Sequence, residues 1–483
     1  MFHWLRSLLP GGHFARSVAL MSGGTASAYV LVFLASPILT RLYVPDDYGV
    51  LSVYGSICSV LLVLTAWRYD VAIPVPEDNR IAADLLSLSL CLVLGMSLVL
   101  GTAAWMLRHR LADWLEAKAL AQFLRLVPFT LLAGGIYAVL QAWAVRRKAF
   151  STIAKTKLYQ GVGVVATQLG LGVVAGGPLG LIVGNMVQQG AGIGSLARLV
   201  WASDEATRPR LNARSLLTAA YRFRRFPLFA SWASVLNTLS AQIPPLFLSS
   251  YFGTTTAGLY GLTGQVLWAP MRLIGTAIGQ VFFSNASEAR VKGTTPQITL
   301  LVFRRLLSVV LPVVLLLACA APEAFAVAFG PKWRTSGEYA QWLCPWLFCV
   351  FVASPLSSLV FVMEQQRGEL IFQVGLLIGR VSALYAGGQS GSPLLTIVLF
   401  GQTSAIIWFV YLLWLLKISG SSPRQGLSAL ATELSKALPL LAPAVIGKFL
   451  IGGSLAVLTG AGLSLAWAAW RFRSQMHHSG TPS

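Results

Sequence analysis

Two arginines sit where an arginine is expensive. Arg272 lies in LWAPMRLIGTAIGQVFF and Arg380 in FQVGLLIGRVSALY, both inside long apolar runs. At a helical rise of about 1.5 Å per residue, each is on the order of 15 Å from its helix ends. A charge at that depth costs about 2.5–3.5 kcal/mol on insertion scales, so it faces a wet cavity or a partner. Of the 16 acidic residues, Asp46, Asp47, Asp113, Glu116 and Glu338 fall in outer loops. Asp84 and Glu323 lie near helix ends, and the others lie in or near inner loops. No carboxylate is placed beside the two arginines at mid-depth. The chemistry this pattern points to is the binding of an anion. The competing reading is an arginine bonded to backbone carbonyls, or to helix ends at a kink.

Helical spacing gathers polar neighbours on the same faces. Gln265, Trp268 and Arg272 recur at three- and four-residue steps, and Gln373 stands two turns before Arg380. Ser234, Asn237 and Ser240 form a polar stripe on the preceding apolar run. Gln265, Asn237 and Gln373 are therefore candidates for a cavity face, although plain interhelical hydrogen bonds account for such stripes equally well.

The elements that position these residues must be membrane helices. The chain has 483 residues, 56% hydrophobic and 11% charged, with a mean hydropathy of +0.70. A soluble domain carries about 25% charged residues, so these charges cannot coat a water-facing surface of this size. Lipid requires every backbone polar group to be satisfied internally. The apolar runs are long and do not alternate, which selects helices over a β-barrel. The five cysteines lie in apolar stretches without a CxxC pair and read as small buried hydrophobes. No catalytic residue, cofactor or metal site is expected.

About fourteen crossings are expected, near 17–40, 47–67, 82–105, 121–143, 157–175, 179–199, 227–249, 257–283, 303–326, 342–363, 369–388, 393–416, 436–452 and 454–470. The first reads as an uncleaved helix rather than a signal peptide. The net charge of +20 does not mark a nucleic-acid binder, because the basic residues sit in short loops between apolar runs and not on one folded polar face. They alternate in density from loop to loop. Arg68 and Arg80, Arg146 to Lys148 with Lys155 and Lys157, and Arg208 to Arg225 are read as loop charges on one side, which places both termini in the cytoplasm.

An internal repeat gives the organisation. PILTRLYVPDDYG (37–49) and PLFLSSYFGTTTAG (245–258) each carry Pro at the end of an apolar helix, Tyr six residues later, and Gly opening the next helix. The expected architecture is all-α and polytopic. An N-lobe (1–200, spans 1–6) and a parallel C-lobe (201–416, spans 7–12) would flank a central cavity, with two further spans and a tail at 417–483.

The same motifs carry a resemblance. TRLYVPDDYG, RYDVAIPVPED, YRFRRFPLFASWASVLNTLSAQIPPLFLSSYFG and APMRLIGTAIGQVFFSNASEA resemble the Wzx-type polysaccharide flippases, relatives of MATE exporters and the lipid II flippase. The resemblance covers most of residues 15–290. It implies twelve to fourteen helices in two lobes. It further implies flipping of undecaprenyl-diphosphate-linked oligosaccharide from the cytoplasmic to the periplasmic leaflet of the bacterial inner membrane, for O-antigen or exopolysaccharide synthesis. Polysaccharide polymerase and glycosyltransferases would be functional partners. Cationic residues would meet the diphosphate. Arg272 and Arg380 are the candidates for that role on depth, with Arg68 and Arg41 at entrance and exit. The absence of a GxxxxGK[ST] loop agrees with a protein that is not an ATPase. A MATE-like exporter of small molecules is the alternative, and a membrane polymerase or glycosyltransferase a more distant one. A cation exporter needs a buried acid, and a sugar polymerase a larger outer loop, than the sequence shows.

Overall fold

The computed structural model describes residues 13–202, 212–448, 457–464 and 466–467, with side chains excepted at 13–22, 270–277, 280, 281 and 284. Among the described residues there is no strand. The long helices are α1 (His13–Leu42), α2 (Pro45–Thr65), α3 (Asn79–Met106), α4 (Val127–Arg146), α5 (Phe150–Val174), α6 (Leu179–Gly190), α7 (Ile193–Trp201), α8 (Ala213–Arg222), α9 (Ser231–Lys292), α10 (Thr295–Phe329), α11 (Arg334–Leu356), α12 (Gln366–Gln389), α13 (Pro393–Ile418) and α14 (Pro423–Ala437). Nine runs among the described residues are long and apolar enough to cross a membrane. Of the run expected at 454–470, residues 454–456, 465 and 468–470 lie outside the described residues.

Helix starts follow local chemistry. Pro45 opens α2 at a position whose N–H has no helical partner, and Asp47 reaches back to accept from the Val44 N–H at 3.0 Å. Asp46 and Asp47 add negative charge at the positive end of the helix dipole. Asp78 caps α3 by accepting from Arg80 N–H, and Ser392 caps α13 by accepting from Leu395 N–H.

Contacts separate the chain into two units, residues 1–261 and 262–483. In the first, α1 packs on α5, α5 on α6, and α3 on α4. One apolar cluster gathers Ile73, Leu85, Leu86, Val139, Ile153 and Leu196. Another gathers Val50, Val53, Tyr54, Leu124, Leu131 and Ile182. Buried tyrosines satisfy their hydroxyls locally: Tyr43 donates to the Gln168 carbonyl at 2.6 Å, and Tyr54 pairs with Thr130 at 2.6 Å. In the second unit, α10, α11 and α13 pack together around Phe282, Phe303, Leu307, Val352, Leu356 and Leu415.

Two features depart from the expected pattern. Pro37 does not end its helix; α1 runs on to Leu42 with the proline inside it. The lost backbone hydrogen bond is one a long helix tolerates. The crossing expected at 179–199 breaks between α6 and α7, where Ala191 is extended and Gly192 has φ +95. A side chain at Gly192 would also come within 2.5 Å of Thr156 Cβ, so only glycine fits. Lys448 donates to the Cys319 carbonyl at 2.7 Å.

The two repeated motifs lie against each other. Val44 breaks the chain between α1 and α2, and Gly253 (φ 80, ψ 171) breaks α9 into 231–252 and 254–292. The Thr254 and Thr255 hydroxyls both donate to Asp46 Oδ1. The loop between α2 and α3 is held by a single guanidinium. Arg146, at the end of α4, donates to the carbonyls of Ile73, Pro76 and Glu77 and to Asn79 Oδ1.

Candidate functional site

α12 shows how Arg380 is aimed. Ile371, Val374, Ile378, Val381 and Tyr385 form an exposed apolar stripe at helical spacing, the pattern of a lipid-facing surface. Leu376, Arg380, Ala383, Leu384 and Gly387 are buried on the other face. Arg380 is thus on the packed face and only 8% exposed.

Its surroundings come from two further helices. The guanidinium carbon lies 5.0 Å from the Trp346 ring centroid on α11 and 5.5 Å from that of Phe400 on α13. Nε donates to Ser404 Oγ at 3.3 Å. Aromatic rings attract a desolvated cation by about 2 kcal/mol, which offsets part of its burial. A guanidinium beside aromatic rings keeps its planar N–H fork, the geometry that grips phosphate in bidentate fashion. Trp346 meets Phe400 edge-on at 5.3 Å and Trp268 edge-on at 5.2 Å. Trp268 belongs to the α9 face that also carries Gln265 and, by spacing, Arg272. The structure therefore joins that face to the Arg380 cage through one tryptophan pair.

The other predicted residues fall elsewhere. Arg272 lies in α9, but its side chain is outside those described. Gln373 donates to Glu369 Oε1 at 2.8 Å, and the Tyr411 hydroxyl donates to the same carboxylate. That network sits near the start of α12, away from the Arg380 contacts. Asn237 is exposed on α9. Arg41 is exposed and donates to the Pro37 carbonyl of its own helix at 2.7 Å. Arg68 is half-buried, in a left-handed backbone conformation with φ 60. Its Nε is buried without a hydrogen-bond partner. Burial raises the neighbouring Asp70 carboxyl above its ordinary value, and the Arg68 charge opposes that shift.

Sequence reasoning missed two groups. Lys157, counted among the loop charges, lies within α5. Its ammonium is 4.8 Å from the Tyr137 ring and donates to Gln160 Oε1 at 3.2 Å. The signal was available, since Lys157, Gln160 and Gln168 lie at helical spacing. Glu323 lies in the last two turns of α10, which ends at Phe329; its burial and its partner were not foreseen. It is 8% exposed and bonded to Arg334 at 3.1 Å, with its second oxygen buried and without a hydrogen-bond partner.

Apolar helices with lipid-facing stripes and a cation caged on a packed face define a polytopic helical membrane protein. Residues 38–338 match the family described as "Polysaccharide biosynthesis protein", and the chain belongs to that family. It is similar to the lipopolysaccharide biosynthesis protein WzxC of Escherichia coli (strain K12), 25% identical over 237 residues, 48% of this chain and 48% of WzxC. It is also similar to the succinoglycan biosynthesis transport protein ExoT of Rhizobium meliloti (strain 1021), 21% identical over 371 residues, 75% of this chain and 72% of ExoT. The chain thus spans about half the length of WzxC and nearly three quarters of ExoT. Its fold is similar to that of the lipid II flippase MurJ in an inward closed conformation, with TM-score 0.73, 10% identity, and coverage of 95% of this chain and 99% of that one. An inward-facing MATE multidrug transporter of the MOP superfamily matches with TM-score 0.53, 16% identity, and coverage of 85% and 95%. The resemblance carried by the sequence motifs is borne out at the level of the family.

Proposed function

We propose that the chain flips an undecaprenyl-diphosphate-linked oligosaccharide from the cytoplasmic to the periplasmic leaflet of the bacterial inner membrane. Polysaccharide polymerase and glycosyltransferases would be its functional partners in O-antigen or exopolysaccharide synthesis. The observation that carries the reading is Arg380, a cation held on the packed face of a membrane helix by Trp346, Phe400 and Ser404. The family and the relatives' roles in polysaccharide biosynthesis support a sugar-bearing substrate. The expected lobes at 1–200 and 201–416 belong to the same proposal. Membrane potential supports the direction: each negative charge moving outward gains about 2.3 kcal/mol per 100 mV.

The test replaces the chromosomal gene with an Arg380→Ala or Arg272→Ala variant. Surface polysaccharide should fall and lipid-linked repeat units should accumulate in the inner leaflet, with protein level unchanged. Normal surface polysaccharide in both variants removes the arginine site. Sugar transfer by the purified protein, or export of a fluorescent cation that depends on one acidic residue, replaces the flippase reading with an enzyme or an exporter.

A further inference from the structure

The ten-residue helix α8 carries no role in the site above. Its sequence, ARSLLTAAYR, distributes three kinds of residue around the axis. Ala219 is buried, and the Ala220 carbonyl accepts from the Tyr69 hydroxyl at 3.0 Å, which fixes that face to the protein. Leu217 and Tyr221, four residues apart, are 71% and 69% exposed. Between those faces runs a polar stripe of Arg214, Ser215, Thr218 and Arg222. It lines a groove of about 400 Å³ together with Asn212, Asp84 and Ile81.

The groove is built rather than incidental. Asn212 caps the helix by accepting from Arg214 N–H at 3.1 Å, and Ser215 donates to Asp84 Oδ1 at 3.2 Å. Among the described residues, neither the Arg214 nor the Arg222 guanidinium forms an ion pair. Arg224 stacks on Tyr221 at 4.1 Å, and Arg225 follows it. Arg214 and Arg222 on the helix and Arg224 on the Tyr221 ring therefore set positive charge beside the exposed Leu217 and Tyr221 side chains. A helix with that arrangement lies in a membrane interface, apolar residues toward the acyl chains and arginines at headgroup level.

We propose that α8 anchors the protein to anionic phospholipid, with Arg214 and Arg222 holding a headgroup phosphate in the groove and Leu217 and Tyr221 seated in the acyl boundary. Charge complementarity selects this occupant, since a zwitterionic headgroup supplies no net charge to match the arginine stripe. The inference needs only a membrane protein, so it stands or falls separately from the flippase reading.

The test measures thermal stability of the full chain in detergent while phosphatidylglycerol or phosphatidylcholine of equal chain length is added. Phosphatidylglycerol should raise the midpoint by about 2–4 °C more than phosphatidylcholine. That gain should vanish near 1 M salt, where the screening length is about 3 Å. An Arg214→Gln/Arg222→Gln variant should keep the wild-type midpoint in phosphatidylcholine and lose at least half of the gain. An Arg304→Gln/Arg305→Gln variant should keep it. Equal responses to the two lipids, or a full gain in the α8 variant, overturn the proposal. So does a gain reproduced by inorganic phosphate alone, or one seen only with undecaprenyl diphosphate, because the groove then belongs to a soluble anion or to the substrate. If the double variant fails to fold, the single Arg214→Gln variant carries the same comparison.

Discussion

A β-carbon placed on Gly49 would come within 1.8 Å of the Thr254 carbonyl oxygen. The relation is reciprocal. A β-carbon on Gly258 would come within 1.8 Å of the Pro45 carbonyl oxygen. The two copies of the internal repeat thus touch backbone to backbone, each glycine admitting the turn of the other. Gly49→Ala is expected to lower the thermal midpoint, since overpacking costs about 1–3 kcal/mol. Gly55→Ala, on the same helix with nothing within 4 Å, serves as the control and should be neutral or slightly stabilising. Equal effects at the two sites would show that the contact does not hold the turns.

The aromatic cage around Arg380 separates charge from packing. Arg380→Ala should reduce transport by about tenfold or more, consistent with losing a charge-assisted hydrogen bond of about 1.5–3 kcal/mol. Arg380→Lys should keep part of the activity, because charge survives and the planar fork does not. Trp346→Phe retains a ring and should stay near wild type, whereas Trp346→Leu should lie between. The measurement is lipid-linked oligosaccharide retained in cells at matched protein level. A Trp346→Leu variant with full activity would detach the cage from function.

Asp70 gives a pH dependence with a definite sign. Its carboxyl is raised by burial, so the folded state holds the proton more tightly than the unfolded state does. Stability is then greatest with the group protonated, and it falls as pH rises from the ordinary value of 3.8 through the raised one. Asp70→Asn should raise the midpoint at pH 7 relative to wild type, with the gap narrowing toward pH 4. A gap that widens on acidification would reverse the sign and place Arg68 as the stronger influence.

The Glu323–Arg334 pair should respond asymmetrically. Removing the arginine leaves a buried carboxylate with neither oxygen bonded, whereas Glu323→Gln keeps the shape and removes the charge. Arg334→Ala is therefore expected to cost about 1–3 kcal/mol, and Glu323→Gln less. Thermal midpoints of both single variants and the double variant decide it. Equal costs would mean that the pair contributes through packing alone.

Most of the helical plan was legible because apolar runs and basic loops are one-dimensional signals. The depth of Arg380 was legible for the same reason, as a count of residues from the helix ends. Its cage was not. Trp346, Phe400 and Ser404 come from two other helices, and no periodicity in α12 names them. Lys157 was misplaced because a cation near a helix start looks like a loop charge until the helix boundary is known at Phe150. Pro37 looked like a terminator, yet a membrane helix packed on a neighbour absorbs one missing hydrogen bond. Gly192 broke a crossing that hydropathy had carried through, because hydropathy does not register backbone handedness.

Arg146 closes a loop that precedes it in the chain by 67–73 residues. At synthesis rates of about 5–20 residues per second, the loop waits on the order of 3–15 s for its clamp to be made. Until then the carbonyls of Ile73, Pro76 and Glu77 lack the partner that holds them in the finished protein. The loop's final shape is postponed until α4 has been translated. The order of manufacture, as much as the finished contact, sets when this loop takes its final shape.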